Sequence, residues 1–119
     1  MQSDDLVLGI DGGGSKTVAW LARRFASGEP SVVGRGTAGA ANPQTVGFAK
    51  AIENLDRAIA AAFDEASAES EPVAAAVLAL AGSDRDENRH VLRRWAEDRR
   101  LARRSACGST SPLPARAQR

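Results

Sequence analysis

The apolar residues of this chain come first in short blocks and then at helical spacing. Leu6 to Ile10, Thr17 to Ala22 and Ser31 to Gly36 are runs of strand length. They are separated by a glycine-rich loop and by the turn formers Ser27-Gly28-Glu29-Pro30. An antiparallel three-strand meander is predicted. The first run is apolar on both faces except at Gly9, the pattern of a central, doubly covered strand, and Trp20 of the second run is expected in the core. From Val46 to Ala66 the period changes. Phe48, Ile52, Leu55, Ile59, Ala62 and Phe63 recur at three- and four-residue steps, largely opposite Lys50, Glu53, Asn54, Asp56, Arg57 and Asp64, which predicts an amphipathic helix with Thr45 as its N-cap.

Val73 to Leu80 is apolar throughout and predicts a buried strand. It returns parallel after the helix, as a β-α-β crossover requires. A second helix is expected from Arg85 to Ala102, capped by Ser83 or Asp84, with Val91, Leu92 and Trp95 on its apolar face and its arginines in solvent. After Ala102 periodicity ends. Residues 103–119 hold one large aliphatic side chain, Leu113, and are expected to be disordered.

At 119 residues the chain has material for one domain core. Its formal charge of +1 hides a division: all 15 acidic residues precede Arg99, and residues 99–119 carry only arginines as charges. That basic tail has no interleaved aromatics for base stacking, so no nucleic-acid partner is expected. No apolar run spans a bilayer, and the acidic Met1-Gln2-Ser3-Asp4-Asp5 start lacks the basic and apolar regions of a secretory signal. With Cys107 the single cysteine, an incidental thiol, a cytoplasmic location without membrane contact is expected. His90, the only histidine, has no companion ligand and reads as a surface residue.

Chemistry concentrates in Gly9-Ile10-Asp11-Gly12-Gly13-Gly14-Ser15-Lys16-Thr17. Glycines let successive N–H groups turn toward one anion, and a neighbouring carboxylate can hold a hydrated Mg²⁺ against the same phosphate. This is not a P-loop, because Ser15 stands between Gly14 and Lys16, and the chain resumes as a strand rather than a helix. Gly34-Arg35-Gly36-Thr37-Ala38-Gly39 matches a dinucleotide fingerprint by letter, but Asn42-Pro43 delays the helix that must open within it.

The Asp11–Thr17 hairpin resembles the first phosphate motif of the actin-like ATPase fold. Together with Gly39-Ala40-Ala41-Asn42-Pro43 and Leu78-Ala79-Leu80-Ala81-Gly82-Ser83-Asp84-Arg85, it makes residues 1–102 similar to the N-terminal lobe of the BadF/BadG/BcrA/BcrD ATPase family, which includes N-acetylglucosamine kinases. The resemblance implies an α/β fold, a ribonuclease H-like lobe with the order β-β-β-α-β-α, here incomplete. It implies ATP and Mg²⁺ as cofactors, an amino sugar as substrate and a homodimer in the full-length family.

Carried onto this sequence, the resemblance gives Asp11 to the metal through water. Gly12, Gly13, Gly14, Ser15, Lys16 and Thr17 fall to the phosphates, and Asn42, Gly82, Ser83 and Asp84 to the substrate. The family's next strand would end in an Asn-Asp-Ala type motif bearing the catalytic aspartate. Residues 103–119 carry no such motif, so no catalytic residue is assigned. The Arg/Ala/Ser/Pro tail has the composition of an out-of-frame reading of GC-rich DNA, and the expectation is an N-terminal fragment, inactive alone. Two other readings stay open: an ATPase that activates a dehydratase or reductase, and a non-catalytic phosphate-binding remnant. Activators hold an iron–sulfur cluster with cysteines, and the single Cys107 favours the kinase.

Overall fold

The structure, a computed structural model, describes residues 6–24, 30–68, 73–80 and 85–108, with 102–108 described by their backbone. The elements run β1 (Leu6–Gly12), β2 (Lys16–Arg23), β3 (Ser31–Gly39), α1 (Pro43–Glu65), β4 (Val73–Leu80), α2 (Asp86–Asp98) and β5 (Ala102–Gly108). They build one sheet in the order β3-β2-β1-β4-β5. The meander β1-β2-β3 is antiparallel, while β4 adds to β1 and β5 to β4 in parallel. The sheet is therefore α/β, as expected, with β1 at its centre.

Alternation along β1 selects the face that meets the helices. Leu6, Leu8, Ile10 and Gly12 are buried, and their register partners Leu21, Ala19 and Thr17 on β2 and Ala76, Leu78 and Leu80 on β4 are buried with them. Leu55, Ala58, Ile59, Ala62 and Phe63 of α1 and Leu92, Trp95 and Ala96 of α2 complete one core with these residues. The opposite face carries Val7, Gly9, Asp11, Trp20 and Val77. Trp20 is only half-buried there, contrary to the expected core position, because its partner Gly9 and its neighbour Arg35 leave it facing outward; the Arg35 guanidinium carbon lies 6.0 Å from the ring centroid. Val77 is 46% exposed.

β3 lies against α1 through its glycines. A Cβ on Gly34 would stand 2.1 Å from the Ala62 carbonyl oxygen, and one on Gly36 2.1 Å from that of Ala58. The Gly34-x-Gly36 spacing is thus a packing device rather than a nucleotide fingerprint. At this sheet edge the Arg35 N–H donates to a Glu65 carboxylate oxygen at 2.9 Å, so a helix side chain occupies one edge donor.

Both helices depart from their predicted bounds. α1 begins at Pro43 with Asn42, not Thr45, as N-cap: the Gln44 N–H donates to Asn42 Oδ1 at 3.0 Å, and proline at the first position needs no acceptor. Gly47, at φ 84° and ψ 162°, separates this first turn from the shaft that the periodicity marked. α2 stops at Asp98, short of the predicted Ala102. Arg100 adopts φ 50°, and the N–H groups of Arg100 and Leu101 donate to the Glu97 and Ala96 carbonyls, a Schellman ending without glycine.

The freed residues 102–108 then form β5, where the sequence suggested the helix end and a disordered tail. Main-chain pairing along β4, from Val73↔Ala102 to Ala79↔Gly108, supplies order that composition does not signal. Among the described residues no helix is long and apolar enough to cross a membrane, and His90 is exposed as expected.

Candidate phosphate and substrate site

β1, β3 and β4 run in one direction, so their C-terminal ends meet at one edge of the sheet, the place where open α/β sheets receive ligands. The hairpin 13–15 follows β1, the segment 40–42 follows β3, and the residues after Leu80 follow β4. The first two motifs, and residues 78–80 of the third, are thereby brought to one edge. Gly82, Ser83 and Asp84 themselves lie outside the described residues. Arg85 occupies the N-cap position of α2 without a side-chain capping bond.

Within the hairpin the glycines have different tasks. Gly12 is buried: a Cβ there would stand 2.8 Å from Leu80 Cδ2 and 3.1 Å from Ala41 Cβ, so it makes room for the core. The Gly13 N–H donates to the Lys16 carbonyl at 2.8 Å and closes the turn, while its own carbonyl accepts from Ala41 N–H at 3.1 Å. Gly14 and Ser15 are exposed, and no hydrogen bond joins either to another described residue. Added bulk at Gly14 would meet nothing within 4 Å. Two adjacent backbone donors and a hydroxyl thus stand free at the tip, the arrangement an anion can use.

Lys16 is exposed beside them, without an ion pair among the described residues. Thr17 points the other way. Fully buried, it donates from Oγ1 to the Gly39 carbonyl at 2.8 Å, so its proton is committed to joining β2 to the end of β3. Asp11 is half-buried one residue before the end of β1, and its carboxylate has no ion-pair or hydrogen-bond partner among the described residues.

No group of three His, Cys, Asp or Glu side chains converges among the described residues. Asp11 is a carboxylate of the kind that can hold a hydrated Mg²⁺, an ion that keeps most of its waters and takes its other ligands from phosphate.

Asn42 sits at the same edge, its Oδ1 spent on capping and its Nδ2 left as a donor. Sequence reasoning missed Asn54, which is 4% exposed and donates from Nδ2 to the Ala40 carbonyl at 2.7 Å. It also missed Asn88, fully buried, whose Oδ1 accepts from Gln44 Nε2 at 3.3 Å. Each interrupts the apolar stripe of its helix with a carboxamide, and that interruption is the signal that was available. Open grooves along α1 and α2 are lined by residues such as Ile52, Arg57, Trp95 and Arg99, with none from the hairpin.

Among curated proteins, none matches this chain. Among solved structures, a protein from Chromobacterium violaceum assigned as an N-acetylglucosamine kinase superposes with a TM-score of 0.65 at 24% identity, over 91% of this chain and 36% of that one. A diol dehydratase-reactivating factor in its nucleotide-free form superposes with a TM-score of 0.50 at 17% identity, over 62% of this chain and 12% of that one. Both likenesses concern the fold, and the chain spans about a third of the length of the kinase structure. The sequence model of the BadF/BadG/BcrA/BcrD ATPase family matches residues 8–102, from β1 through α2 and including all three motifs, and the chain belongs to that family.

Proposed function

We propose that this chain is the N-terminal lobe of an ATP-dependent carbohydrate kinase of the N-acetylglucosamine kinase type. The observation that carries the reading is the hairpin tip, where Gly14 and Ser15 present unspent donors between exposed Lys16 and Asp11, whose carboxylate has no partner among the described residues. Gly14 N–H, Ser15 N–H and the Ser15 hydroxyl bind the β- and γ-phosphates, with Lys16 as a neighbouring point charge. Asp11 holds Mg²⁺ through water; when bound, that ion neutralises charge on the phosphates. Asn42 Nδ2, with residues 82–84, would hold hydroxyl or acetamido groups of an amino sugar. Gly12, Gly13 and Thr17 shape the loop rather than touch the nucleotide.

The lobe positions phosphate and substrate but brings no assigned general base, so the isolated chain binds Mg·ATP weakly and does not turn over. The test is the intact mass of the protein from its source cells, with Mg·ATP binding and N-acetylglucosamine-dependent ADP release on the same material. A mass near 12.4 kDa with weak binding and no turnover is expected for the lobe alone. A larger protein should release ADP in response to sugar. Binding without sugar dependence would favour the dehydratase- or reductase-activating ATPase, and loss of Mg·ATP binding would overturn the reading.

A further inference from the structure

Two of the three motifs are joined by hydrogen bonds that no ligand contact requires. Thr17 Oγ1 donates to the Gly39 carbonyl at 2.8 Å, Asn54 Nδ2 to the Ala40 carbonyl at 2.7 Å, and Ala41 N–H to the Gly13 carbonyl at 3.1 Å. Three successive residues, the last of β3 and the two after it, are thus fixed from three directions, just before Asn42 caps α1. Asn54 is the member that comes from α1, and it is buried. Its reach depends on Gly39, where a Cβ would stand 3.0 Å from Nδ2. A buried carboxamide that leaves a carbonyl unpaired when removed acts strongly on local geometry.

The geometry points to Asn54 as a positioning residue: its carboxamide holds residues 39–42 in the register at which Ala41 closes on Gly13, and so sets the hairpin that an anionic ligand meets. The first half of this inference concerns the fold; the second rests on the phosphate reading above. Gly13 couples the two segments, because it both accepts from Ala41 and closes the turn onto Lys16. Loosening residues 39–42 therefore releases the hairpin tip, although Asn54 touches no ligand.

Amide exchange in the ¹⁵N-labelled chain tests the first half. In the unaltered protein one Asn54 side-chain amide proton should exchange slowly, and a fast-exchanging pair would overturn the proposal without any variant being made. Asn54→Asp keeps the shape and removes the donor. At neutral pH the protection of the Ala41 amide should fall about tenfold or more, while Leu8 and Leu78 in the central strands stay within about twofold.

As pH falls, the introduced carboxyl, disfavoured as a charge by burial, gains a proton, donates to Ala40 and restores protection of Ala41. A side chain that only filled space would give no such recovery. Unchanged protection at Ala41, or a parallel loss at Leu8 and Leu78, would overturn the inference.

Titration with Mg·ADP, followed at the Gly14 and Ser15 amides, tests the second half. The Kd should rise about tenfold in Asn54→Asp at neutral pH and return toward that of the unaltered chain on acidification. Equal Kd values would overturn the effect on the ligand. Absence of binding by the unaltered chain would instead sink the phosphate reading, and the Ala41 comparison would still decide the role of Asn54.

Discussion

Gly36 of β3 faces Ala58 of α1 so closely that a Cβ at the glycine would stand 2.1 Å from the alanine's carbonyl oxygen. The obstacle is helix backbone, which no rotamer change can move. Gly36→Ala should therefore cost at least about 3 kcal/mol in denaturant unfolding, and Gly34→Ala should behave alike. Gly14→Ala, with open space around it, should stay within about 0.5 kcal/mol. Equal effects at the three positions would contradict the packing described for β3.

Gly47 tests conformation rather than space. A Cβ there meets nothing within 4 Å, yet its φ of 84° is one that other residues rarely adopt. Gly47→Ala should destabilise by about 1–2 kcal/mol, or else straighten the start of α1 into one continuous helix. Gain of helical circular dichroism would identify the second outcome.

Asn42 separates its two roles by substitution. Asn42→Ala removes the acceptor for Gln44 N–H and should cost about 1 kcal/mol. Asn42→Asp keeps the cap and should leave stability within about 0.5 kcal/mol, while removing the Nδ2 donor proposed for the sugar. Stability that follows the cap and sugar binding that follows the amide would support both assignments. Matching losses in the two variants would refute the separation.

Trp95 and Arg99 of α2 converge on Asp56 of α1. The indole N–H donates to Asp56 Oδ1 at 3.0 Å, and the guanidinium donates to both carboxylate oxygens, from Nε at 3.3 Å and Nη2 at 3.0 Å. That hydrogen bond, then the charge of Asp56, raises the Arg99 pKa above its ordinary value. A raised cation stabilises below its unfolded pKa and loses the effect only as pH climbs through the folded one, so Arg99 lends no pH dependence at neutrality. Trp95→Phe retains the buried ring and should cost about 1 kcal/mol through the lost hydrogen bond, seen as a lower denaturation midpoint at unchanged slope.

Glu65 provides the last test. Its carboxylate accepts the Arg35 N–H at the β3 edge, and Glu65→Ala would bare that donor beside the exposed Val32. Association at high concentration should rise with little change in unfolding free energy, and light scattering would show it.

Much of this fold was legible because hydrophobic spacing and glycine chemistry are local. Leu6 to Ile10, the stripe from Ile52 to Phe63 and the Asp11–Thr17 loop each announce themselves within a few residues. The end of α2 was not. α1 stops within a residue of the predicted Ala66, in a Schellman turn on Ser67 at φ 56°, but α2 turns off at Arg100, φ 50°, where the sequence offers no glycine to mark the stop.

β5 was hidden for a different reason. Its order comes from a partner strand, β4, and not from its own residues. At the site, the glycines could be named but not divided into those that face the core, like Gly12, and those that face solvent, like Gly14. That division depends on Leu80 and Ala41, which reach Gly12 only in the folded chain.

The place of β1 between β2 and β4 also fixes an order of events during synthesis. Leu8 can pair with Leu21 as soon as the first hairpin leaves the ribosome, but its other edge waits for Ala76. Until then the central strand of the sheet is paired on one side only, and closing the remaining side spans most of the chain. The nascent chain therefore passes through an interval in which its central strand is open to chaperones or to wrong partners. The same late closure that brings Leu80 against Gly12 ends that exposure.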